Sequence, residues 1–445
     1  MVFPVETITR EFDGKLLLAL CARERGWDVL IGNMAVIIDM LPHLPPSVYF
    51  GKSARSLNAS LFARLHALGH EVVVLDEEAL VRQSDTIYLM KHEKDALKNV
   101  DLVLTWGPDN TALWENSDLL DGIQADPVGN PRIDMLRPRL RPFHEPEIAA
   151  IRARFGGYVL FNSNFATVNN VISGSNRFKL AGWVPAEEAA RETSGLLTHK
   201  RNLYERFHTL LPQVAATIAP RHLVIRPHPS EDHAPWREIA SALPNVSVIF
   251  EGSVVPWIAG ARVLIHNGCT SAVEAAIEGT TVLTYRPVTS DHYDNALPNA
   301  IGTECFSDEA LLEALTGMLE SDPAPLTESQ QAILARHITM GDTGLCCDAI
   351  MEAIERRSIG RAREHRTPLG VWLKIFAENQ RRLFKQRIKR FSSKGKAKAA
   401  YRAHKFPGVT AEIANERISR FRETLSRFGG LRAREIRPDV LEIIQ

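Results

Sequence analysis

The stretch "ARVLIHNGCTSAVEAAIEGTTVLTYRP", residues 261–287, shows how this chain alternates strand and helix. Its run "VLI" is short and apolar, which predicts a buried strand, and "AVEAAIE" combines good helix formers with apolar residues at helical spacing. Ser271 and Glu274 have the S-x-x-E spacing of a capping box, so we expect Ser271 to be the N-cap. Gly279 stands where a glycine commonly ends a helix. The stretch therefore predicts a strand, a tight loop, a helix and a second strand.

The loop inside this stretch is polar for the exit of a buried strand. It carries a His, an Asn, a Gly, a Thr and a Ser within residues 266–271. The first turn of a helix presents free N–H groups and the positive end of the helix dipole, which together attract anions. Capping of the helix by Thr270 and Ser271 explains the same residues without a ligand, so this loop alone leaves both interpretations open.

The composition predicts a soluble protein of two or three domains. The chain has 445 residues, of which 45% are hydrophobic and 24% charged, as in ordinary globular proteins. Lys and Arg together number 53, as do Asp and Glu, so no global charge points to nucleic acid as a partner. The five cysteines are odd in number and lack C-x-x-C spacing, which argues against a disulfide framework and a zinc site. Without a recognisable secretory signal or a bilayer-spanning stretch, we expect a cytoplasmic protein.

Short apolar runs alternate with helical patterns along most of the chain. The runs that predict strands are "MVFPVE", "DVLIG", "EVVVLD", "VDLVLTWG", "GYVLFNSNF", "RHLVIRPHP", "NVSVIFEG", "ARVLIHNG" and "TTVLTYRP". Strands separated by helices form parallel βαβ units. The proline-rich segment 125–146 interrupts the alternation and is interpreted as the passage between domains. We therefore predict an α/β fold with two Rossmann-like doubly wound domains, at 1–127 and 128–355, and a basic helical extension at 356–445.

Ligands of doubly wound sheets bind beyond the carboxyl ends of the strands. In the second predicted domain these positions hold many hydrogen-bond donors and few carboxylates: Asn162, Ser163, Asn164, Arg226, His228, Ser230, Gly252, Ser253, His266, Asn267, Gly268, Thr270, Ser271 and Arg286. Such a set on one sheet edge predicts a phosphate-binding cleft. Together with this set of donors, the loop at 266–271 is better explained as an anion site than as a simple helix cap.

The segment 371–405 is strongly basic, and Glu378 is its only acidic residue. Placed on a helix, its apolar residues share one face and several cations lie opposite: Trp372, Ile375, Phe376 and Leu383 against Lys374, Arg381 and Lys385. Such a helix suits the surface of an anionic membrane. A solvated basic helix that packs on its own domain explains the pattern equally well.

Several of these stretches resemble one family. "VETITREFDGKLLLALCARERGWDVLIG", "GNPRIDML", "GYVLFNSNF", "RPHPSED" and "HNGCTSAVEAAIEGTTVLTYRP" resemble, in this order, the bacterial surface carbohydrate biosynthesis proteins, which look like GT-B glycosyltransferases. The resemblance spans roughly residues 2–290. The His-Pro followed by a Ser/Thr loop is also similar to sialyl-, polysialyl- and Kdo-transferases, and "GNPRID" and "RPHP" to CDP-glycerol glycerophosphotransferases. The resemblance to GT-B glycosyltransferases implies an N-terminal acceptor domain and a nucleotide-sugar donor domain that face each other across a cleft.

The resemblance implies a role for each donor-site residue. His228 would contact the nucleotide phosphate and assist departure of the leaving group, while Thr270 and Ser271 would hold the same phosphate. Glu274 would reach the ribose hydroxyls or complete the capping box. Arg226 would neutralise phosphate, or pair with Glu231 or Asp232. The predicted donor-binding set is Arg226, Asn162, Asn164, Gly268, Thr270, Ser271 and Glu274.

Glycosyl transfer needs donors at the departing phosphate and a base at the acceptor hydroxyl. The resemblance implies that no metal cofactor is needed, and no D-x-D pair follows a predicted strand. The base is expected from "VETITREFDGK", between the first strand and the first helix. Glu11 is our choice for that base, with Arg10 and Lys52 as acceptor-binding residues, whereas Asp13 is expected to be the N-cap of the helix.

The leading hypothesis is a glycosyltransferase that uses a nucleotide sugar, with a CMP-linked acidic sugar as the first donor to consider. Its acceptor would be a glycan or a lipid-linked glycan of lipopolysaccharide or capsule, at the inner face of the cytoplasmic membrane. Three alternatives remain open: a glycerophosphotransferase of the teichoic type, a nucleotide-sugar epimerase, and a non-catalytic scaffold of an assembly complex.

Overall fold

The computed structural model describes residues 1–82, 84–171, 186–341, 344–360, 367–389 and 405–445. The chain forms two compact units. Unit 1 comprises Met1–Leu80, Lys91–Met135 and Arg336–Gln445, and unit 2 comprises Val81–Met90 and Leu136–Ala335. The change from unit 1 to unit 2 at residues 135–136 falls within the proline-rich segment at 125–146. The residues from Arg336 onward belong to unit 1, although the sequence had assigned those up to 355 to the second domain.

The strands of the described residues are short, as expected for buried parallel sheets. They are β1 (Val2–Val5), β2 (Val29–Asn33), β3 (Val48–Gly51), β4 (Glu71–Leu75), β5 (Leu102–Thr105), β6 (Ala125–Pro127), β7 (Val159–Asn162), β8 (Leu223–Arg226), β9 (Val246–Val248), β10 (Val263–His266), β11 (Thr281–Tyr285), β12 (Thr303–Cys305), β13 (Arg432–Arg437) and β14 (Val440–Ile444).

The helices connect the strands and flank both sheets. They are α1 (Ile8–Glu24), α2 (Met34–Met40), α3 (Ala59–Ala67), α4 (Asp85–Met90), α5 (Lys94–Leu97), α6 (Pro108–Glu115), α7 (Pro131–Asp134), α8 (Arg141–Phe155), α9 (Ala186–Ile218), α10 (Ala234–Ser241), α11 (Val254–Gly260), α12 (Thr270–Glu278), α13 (Ala296–Ile301), α14 (Asp308–Glu320), α15 (Glu328–His337), α16 (Cys346–Arg356), α17 (Leu369–Lys389) and α18 (Ala411–Leu425).

Unit 1 is built on a sheet with the strand order β13-β14-β2-β1-β3-β4-β5-β6. Strands β1 to β6 are parallel, and the C-terminal hairpin β13–β14 adds to β2 in antiparallel fashion. Because β2 and β3 flank β1 on opposite sides, the topological switch point lies between β1 and β3. A Cβ atom on Gly32 would lie 2.1 Å from the carbonyl oxygen of Asp439, so the glycine in β2 permits the hairpin to pair there.

The C-terminal extension differs from the predicted helical arm. It contributes helices α17 and α18 and also the β13–β14 hairpin. Upstream of it, α16 is tied to unit 1 by the buried carboxylate of Asp134, which accepts hydrogen bonds from the backbone N–H groups of Cys346, at 2.8 Å, and Cys347, at 2.9 Å. Asp134 thus caps α16 from a distant part of the sequence, which no local pattern predicts.

Unit 2 is built on a fully parallel sheet with the order β12-β11-β10-β7-β8-β9. The chain runs outward from β7 through β8 and β9, then crosses back to β10, so the switch point lies between β7 and β10. Apolar residues cover both faces: Phe161, Phe207 and Trp236 on one, and Tyr158, Trp257 and Leu264 on the other. The predicted α/β fold with two doubly wound Rossmann-like sheets is confirmed.

Two predicted helix starts are wrong. Helix α12 begins at Thr270 with Cys269 as its N-cap, so Ser271 lies in the first turn and the capping box with Glu274 does not form. Helix α1 begins at Ile8 with Thr7 at its N-cap, which places Asp13 inside the helix. The predicted end of α12 is confirmed, because Gly279 adopts the left-handed conformation with φ of 87°.

Helix α17 packs the apolar face of the basic segment against protein. The indole Nε1 of Trp372 donates to the carbonyl of Pro42 at 2.9 Å, its ring stacks on Phe376, and Ile375 is buried. The side chain of Leu383 lies outside the described residues. This face therefore packs on unit 1, as the second interpretation of the basic segment predicted. Within the described residues, none of the helices is long and apolar enough to cross a bilayer.

Candidate functional site

The last residues of the central strands of unit 2 form a polar row across the sheet. Arg226 of β8 is in register with Asn162 of β7, which is in register with His266 of β10, and His266 with Thr284 of β11. Side chains in register on parallel strands point to the same face. The fold thus brings together predicted donor-site residues that are far apart in sequence, at the edge where such sheets bind ligands.

His266 has a structural task in this row. Its Nδ1 accepts a hydrogen bond from the N–H of Gly268 at 2.9 Å, and its Nε2 lies 2.8 Å from Oγ1 of Thr284. Burial, together with the positive charge of Lys200, lowers the pKa of His266 to about 3, so the ring is neutral and donates from Nε2. Gly268 has φ of 80°, a conformation that favours glycine. His266 therefore fixes the loop that leads into α12.

Two asparagines at the switch point have unsatisfied amide oxygens. Asn162 is 6% exposed and Asn267 is 5% exposed, and the Oδ1 of each has no hydrogen-bond partner among the described residues. The Nδ2 of Asn267 reaches the carbonyl of Asn164 only at 3.5 Å. Buried amides without partners cost about 1–3 kcal/mol each, and such groups are commonly satisfied by water or a ligand. The site is therefore built to receive hydrogen-bond donors.

The N-terminus of α12 lies beside these amides. Thr270 and Ser271 occupy the first turn, and the hydroxyl of Ser271 lies 2.6 Å from the Sγ of Cys269. The first N–H groups of a helix have no acceptor within the helix, and they point outward from its end. Glu274 is buried one turn further along. The arrangement offers donors from the helix end beside the acceptors of the asparagines.

The loop after β8 is organised by Glu231, which the sequence reasoning did not select as a site residue. Its carboxylate accepts hydrogen bonds from Ser163 Oγ (2.8 Å), the Phe165 N–H (2.8 Å), the His228 N–H (3.3 Å) and Trp236 Nε1 (3.0 Å). Burial raises the pKa of Glu231, although these hydrogen bonds act in the opposite direction. Glu231 thereby joins the loops after β7 and β8. The only indication of this role in the sequence is the position of Glu231 in "RPHPSED", directly after a predicted strand.

His228 lies in this loop with a defined ring orientation. Its Nδ1 accepts a hydrogen bond from the N–H of Ser230 at 3.2 Å. In the neutral ring the proton is consequently on Nε2, which makes that nitrogen a hydrogen-bond donor. A donor at this position suits the role at a phosphate oxygen that the resemblance implied, and that role stays a prediction.

Arg226 is anchored to backbone carbonyls. Its guanidinium donates to the carbonyls of Glu251 at 2.9 Å and Gly252 at 3.2 Å and lies over the ring of Trp257. Burial lowers its pKa to about 10. The predicted alternative, an ion pair with Glu231 or Asp232, is wrong, because the arginine turns to the loop after β9. Its phosphate-neutralising role stays a prediction.

In unit 1, Glu11 is committed to the start of α1. Its carboxylate accepts from the N–H groups of Glu6 at 3.1 Å and Thr7 at 3.3 Å, and it pairs with Lys15 at 2.8 Å. Lys15 Nζ also donates to the carbonyl of Pro4. Both side chains are buried. These contacts explain why α1 begins earlier than predicted, and the use of Glu11 as a base stays a prediction.

The switch point of unit 1 carries a carboxylate between two ammonium groups. Glu6 follows β1 and pairs with Lys52, which follows β3, and with Lys405 at 2.7 Å. Burial, and then the charge of Lys405, lower the pKa of Lys52. Arg10 is exposed and donates to the carbonyl of Glu77 at 3.4 Å. Lys52 and Arg10, the predicted acceptor-binding residues, therefore lie at the carboxyl edge of this sheet.

Among the described residues, no three His, Cys, Asp or Glu side chains are grouped as a metal would require. No family model matches the sequence, and no curated protein matches it.

Solved structures with a similar chain path are enzymes of the GT-B type. They include the wall teichoic acid polymerase TagF (11% identity, 72% of this chain and 73% of that chain, TM-score 0.45). The UDP-GlcNAc 2-epimerase from Methanocaldococcus jannaschii is similar at 12% identity over 80% of this chain and 98% of that chain, with a TM-score of 0.48. The enzyme of that name from Neisseria meningitidis has 15% identity over 72% and 79%, with a TM-score of 0.43.

Proposed function

We propose that this protein is a glycosyltransferase that takes its sugar from a nucleotide-activated donor bound at the carboxyl edge of the unit 2 sheet. The observation that carries the proposal is the pair of buried Oδ1 atoms of Asn162 and Asn267 at the switch point, beside the N-terminus of α12, neither of which has a hydrogen-bond partner among the described residues. Sugar and ribose hydroxyls are donors that satisfy such oxygens, and a phosphate is an acceptor that satisfies the helix N–H groups.

The proposed donor site divides its work between two loops. Thr270 and Ser271 hold a phosphate oxygen from the end of α12, and His228 donates from Nε2 to the same phosphate. These donors stabilise the negative charge that develops on the phosphate as the glycosidic bond breaks. Asn164 and Gly268 shape the loops around the ligand, and Glu274 receives the ribose hydroxyls. A CMP-linked acidic sugar is our first choice of donor.

The acceptor is proposed to bind at the carboxyl edge of the unit 1 sheet. Lys52 and Arg10 would attract an acidic glycan or a lipid-linked glycan, of the kind found in lipopolysaccharide or capsule. A base must remove the proton of the acceptor hydroxyl. Glu11, which pairs with Lys15 at 2.8 Å, is the proposed base.

We further propose a cytoplasmic location with peripheral contact to the inner face of the membrane. The support is the basic composition of residues 371–405 and the exposure of Leu369, Leu373 and Phe384 on α17. Cosedimentation of the protein with anionic and neutral vesicles tests this. Equal recovery with both kinds of vesicle would remove the proposal.

The test of function is calorimetric binding of CMP, CDP, UDP and GDP to the wild type and His228→Ala. We expect one nucleotide to bind with a micromolar dissociation constant and His228→Ala to weaken it. The matched control is His222→Ala, which makes the same change just before β8, at the opposite edge of the sheet. Failure of all four nucleotides to bind the folded wild type would overturn the donor site.

Product analysis then separates the kinds of enzyme. A transferase releases nucleotide only when an acceptor is present, beyond a slow hydrolysis. An epimerase changes the sugar nucleotide without any acceptor, and a scaffold binds it without turnover. Either of these two results with the matching donor would contradict glycosyl transfer.

A further inference from the structure

We infer that Lys200 of α9 is a specificity-determining residue that binds an anionic oxygen of the donor at the entrance to α12. The inference rests on the proposed function and adds that the donor site prefers a ligand with a negative charge at this position. Lys200 was not singled out by the sequence reasoning.

Lys200 lies on the apolar side of its helix. Leu196, Leu203, Phe207 and Leu210 are buried at helical spacing around it, and Lys200 itself is only 7% exposed. Lysine is rarely so buried without a partner, because desolvation of an ammonium group is costly. The sequence itself therefore contains an indication of a binding role, namely a single lysine on the apolar face of a helix.

The ammonium group of Lys200 forms no hydrogen bond or ion pair with the described residues. The nearby carboxylate, Asp294, is occupied by His199 at 2.8 Å and by Arg286 at 2.7 Å. Burial lowers the pKa of Lys200, and the negative charge of Asp294 acts in the opposite direction without a direct contact. Among the described residues, no carboxylate therefore pairs directly with the amino group of Lys200.

The surroundings of Lys200 are those of the proposed donor site. The adjacent residue of α9, His199, lies 2.8 Å from Asp294, and the residue after Asp294, Asn295, donates a 2.7 Å hydrogen bond to the carbonyl of Gly268 in the loop before α12. The charge of Lys200 also helps to lower the pKa of His266, at the end of β10. On another side, Tyr293 packs so closely on α9 that a Cβ on Gly195 would lie 2.0 Å from its hydroxyl oxygen. Lys200 therefore lies in a well-packed part of unit 2, next to the N-terminus of α12, where the helix attracts anions.

Hydrogen-bond acceptors near Lys200 indicate which groups of the ligand would lie beside its anionic oxygen. In addition to Asn162 and Asn267, Asn299 has a buried Oδ1 without a partner among the described residues. This oxygen would lie 3.4 Å from a Cβ on Gly268. An anionic group that is flanked by hydroxyls satisfies both the ammonium and the amide oxygens. Either a phosphate next to ribose or sugar hydroxyls, or the carboxylate of an acidic sugar, has this chemistry.

The experiment compares Lys200→Met with Arg201→Met, which removes an exposed cation from the next position of the same helix. Binding of the four nucleotides and of a CMP-linked acidic sugar is measured by calorimetry, and the unfolding midpoint by circular dichroism. We expect Lys200→Met to weaken binding by about tenfold to a hundredfold, the range of one charged hydrogen bond. Arg201→Met should leave binding within about twofold of the wild type.

Stability gives a readout that a purely structural lysine would not share. Replacing an unpaired buried ammonium by an apolar side chain of similar length should keep or raise the unfolding midpoint. A lowered midpoint together with unchanged binding would overturn the inference. Lys200→Gln, which keeps a neutral donor, provides a second folded variant and should bind with intermediate strength.

The ligands distinguish the two sources of the anion. Weaker binding of the bare nucleotide by Lys200→Met identifies phosphate, and weakening confined to the acidic sugar nucleotide identifies the carboxylate. Unchanged binding of both, with the wild type active in binding, would overturn the role of Lys200 and leave the proposed function standing. Absence of binding by the wild type would overturn the proposed function itself.

Discussion

The carboxylate of Glu231 accepts a hydrogen bond of 2.8 Å from the hydroxyl of Ser163 and one of 3.0 Å from the indole of Trp236. One buried side chain thereby connects the loops after β7 and β8 with helix α10. Asn162 ends β7, and the two loops carry Asn164 and His228. The shape of the proposed donor site therefore depends on a residue that need not contact the ligand.

The first prediction concerns Glu231→Gln. The amide accepts through one atom only, so at least one donor among the four loses its partner, and we expect a loss of about 1–3 kcal/mol in the free energy of unfolding. Nucleotide binding should weaken as well, because the loops that carry Asn164 and His228 lose part of their shared anchor on Glu231. Urea denaturation and calorimetry measure the two effects. Glu238→Gln, an exposed change on α10, should alter neither, and equal stability of both variants would contradict the role of Glu231.

The second prediction concerns Asn162→Ala. Because the Oδ1 of Asn162 has no partner in the described residues, its removal should cost less than about 1 kcal/mol of unfolding free energy. Binding of the donor should nevertheless weaken by about tenfold, the value of one hydrogen bond. The comparison is Asn295→Ala, which removes a 2.7 Å hydrogen bond to the carbonyl of Gly268 and should lower stability. A larger loss of stability in Asn162→Ala than in Asn295→Ala would argue against a ligand-binding amide.

The third prediction concerns acid stability. The folded pKa of His266, about 3, is below the value of about 6.5 in an unfolded chain. The unfolded state therefore binds the proton first, and stability falls as the pH decreases from about 6.5 towards 3. This residue contributes up to about 1.4 kcal/mol per pH unit in that window. In His266→Gln this part of the slope should disappear, as measured by urea denaturation between pH 4 and 7, and identical slopes would contradict the assignment.

The fourth prediction concerns Glu11→Gln. This change removes the closer of the two carboxylates that pair with buried Lys15 and leaves Glu77 at 3.9 Å, so we expect the free energy of unfolding to fall by about 1.5–3 kcal/mol, the range of a hydrogen bond to a charged group. The double variant with Lys15→Met should regain part of that loss. Transfer activity per folded molecule is the second measurement. A loss of several orders of magnitude that the double variant does not restore would support Glu11 as the base, whereas activity close to the wild type would assign it to capping of α1.

Much of the architecture follows from local patterns. The apolar runs such as "VLI" and "EVVVL" predict buried strands because parallel sheets are covered on both faces. The left-handed Gly279 could be predicted at the end of α12 because few other residues adopt that conformation without strain. The residues at the carboxyl ends of the strands could be found because strand direction follows from βαβ alternation.

Other features were decided by contacts between distant parts of the chain. The N-terminal cap of α16 depends on Asp134, which precedes that helix by more than two hundred residues. The basic helix α17 buries Trp372 on unit 1 because Pro42 and its neighbours offer a partner that a helical pattern cannot reveal.

The sequence by itself predicted the strands β1, β2, β4, β5 and β7–β11 and the polar residues placed after them, because both depend on spacing along the chain. The tertiary structure decided which of those polar groups are satisfied. Within the part of the chain that the structure describes, the side chains of His266 and Arg226 find partners, while the amide oxygens of Asn162 and Asn267 and the amino group of Lys200 do not. Whether a buried polar group is structural or available to a ligand depends on hydrogen bonds between strands, and these exist only in the folded chain.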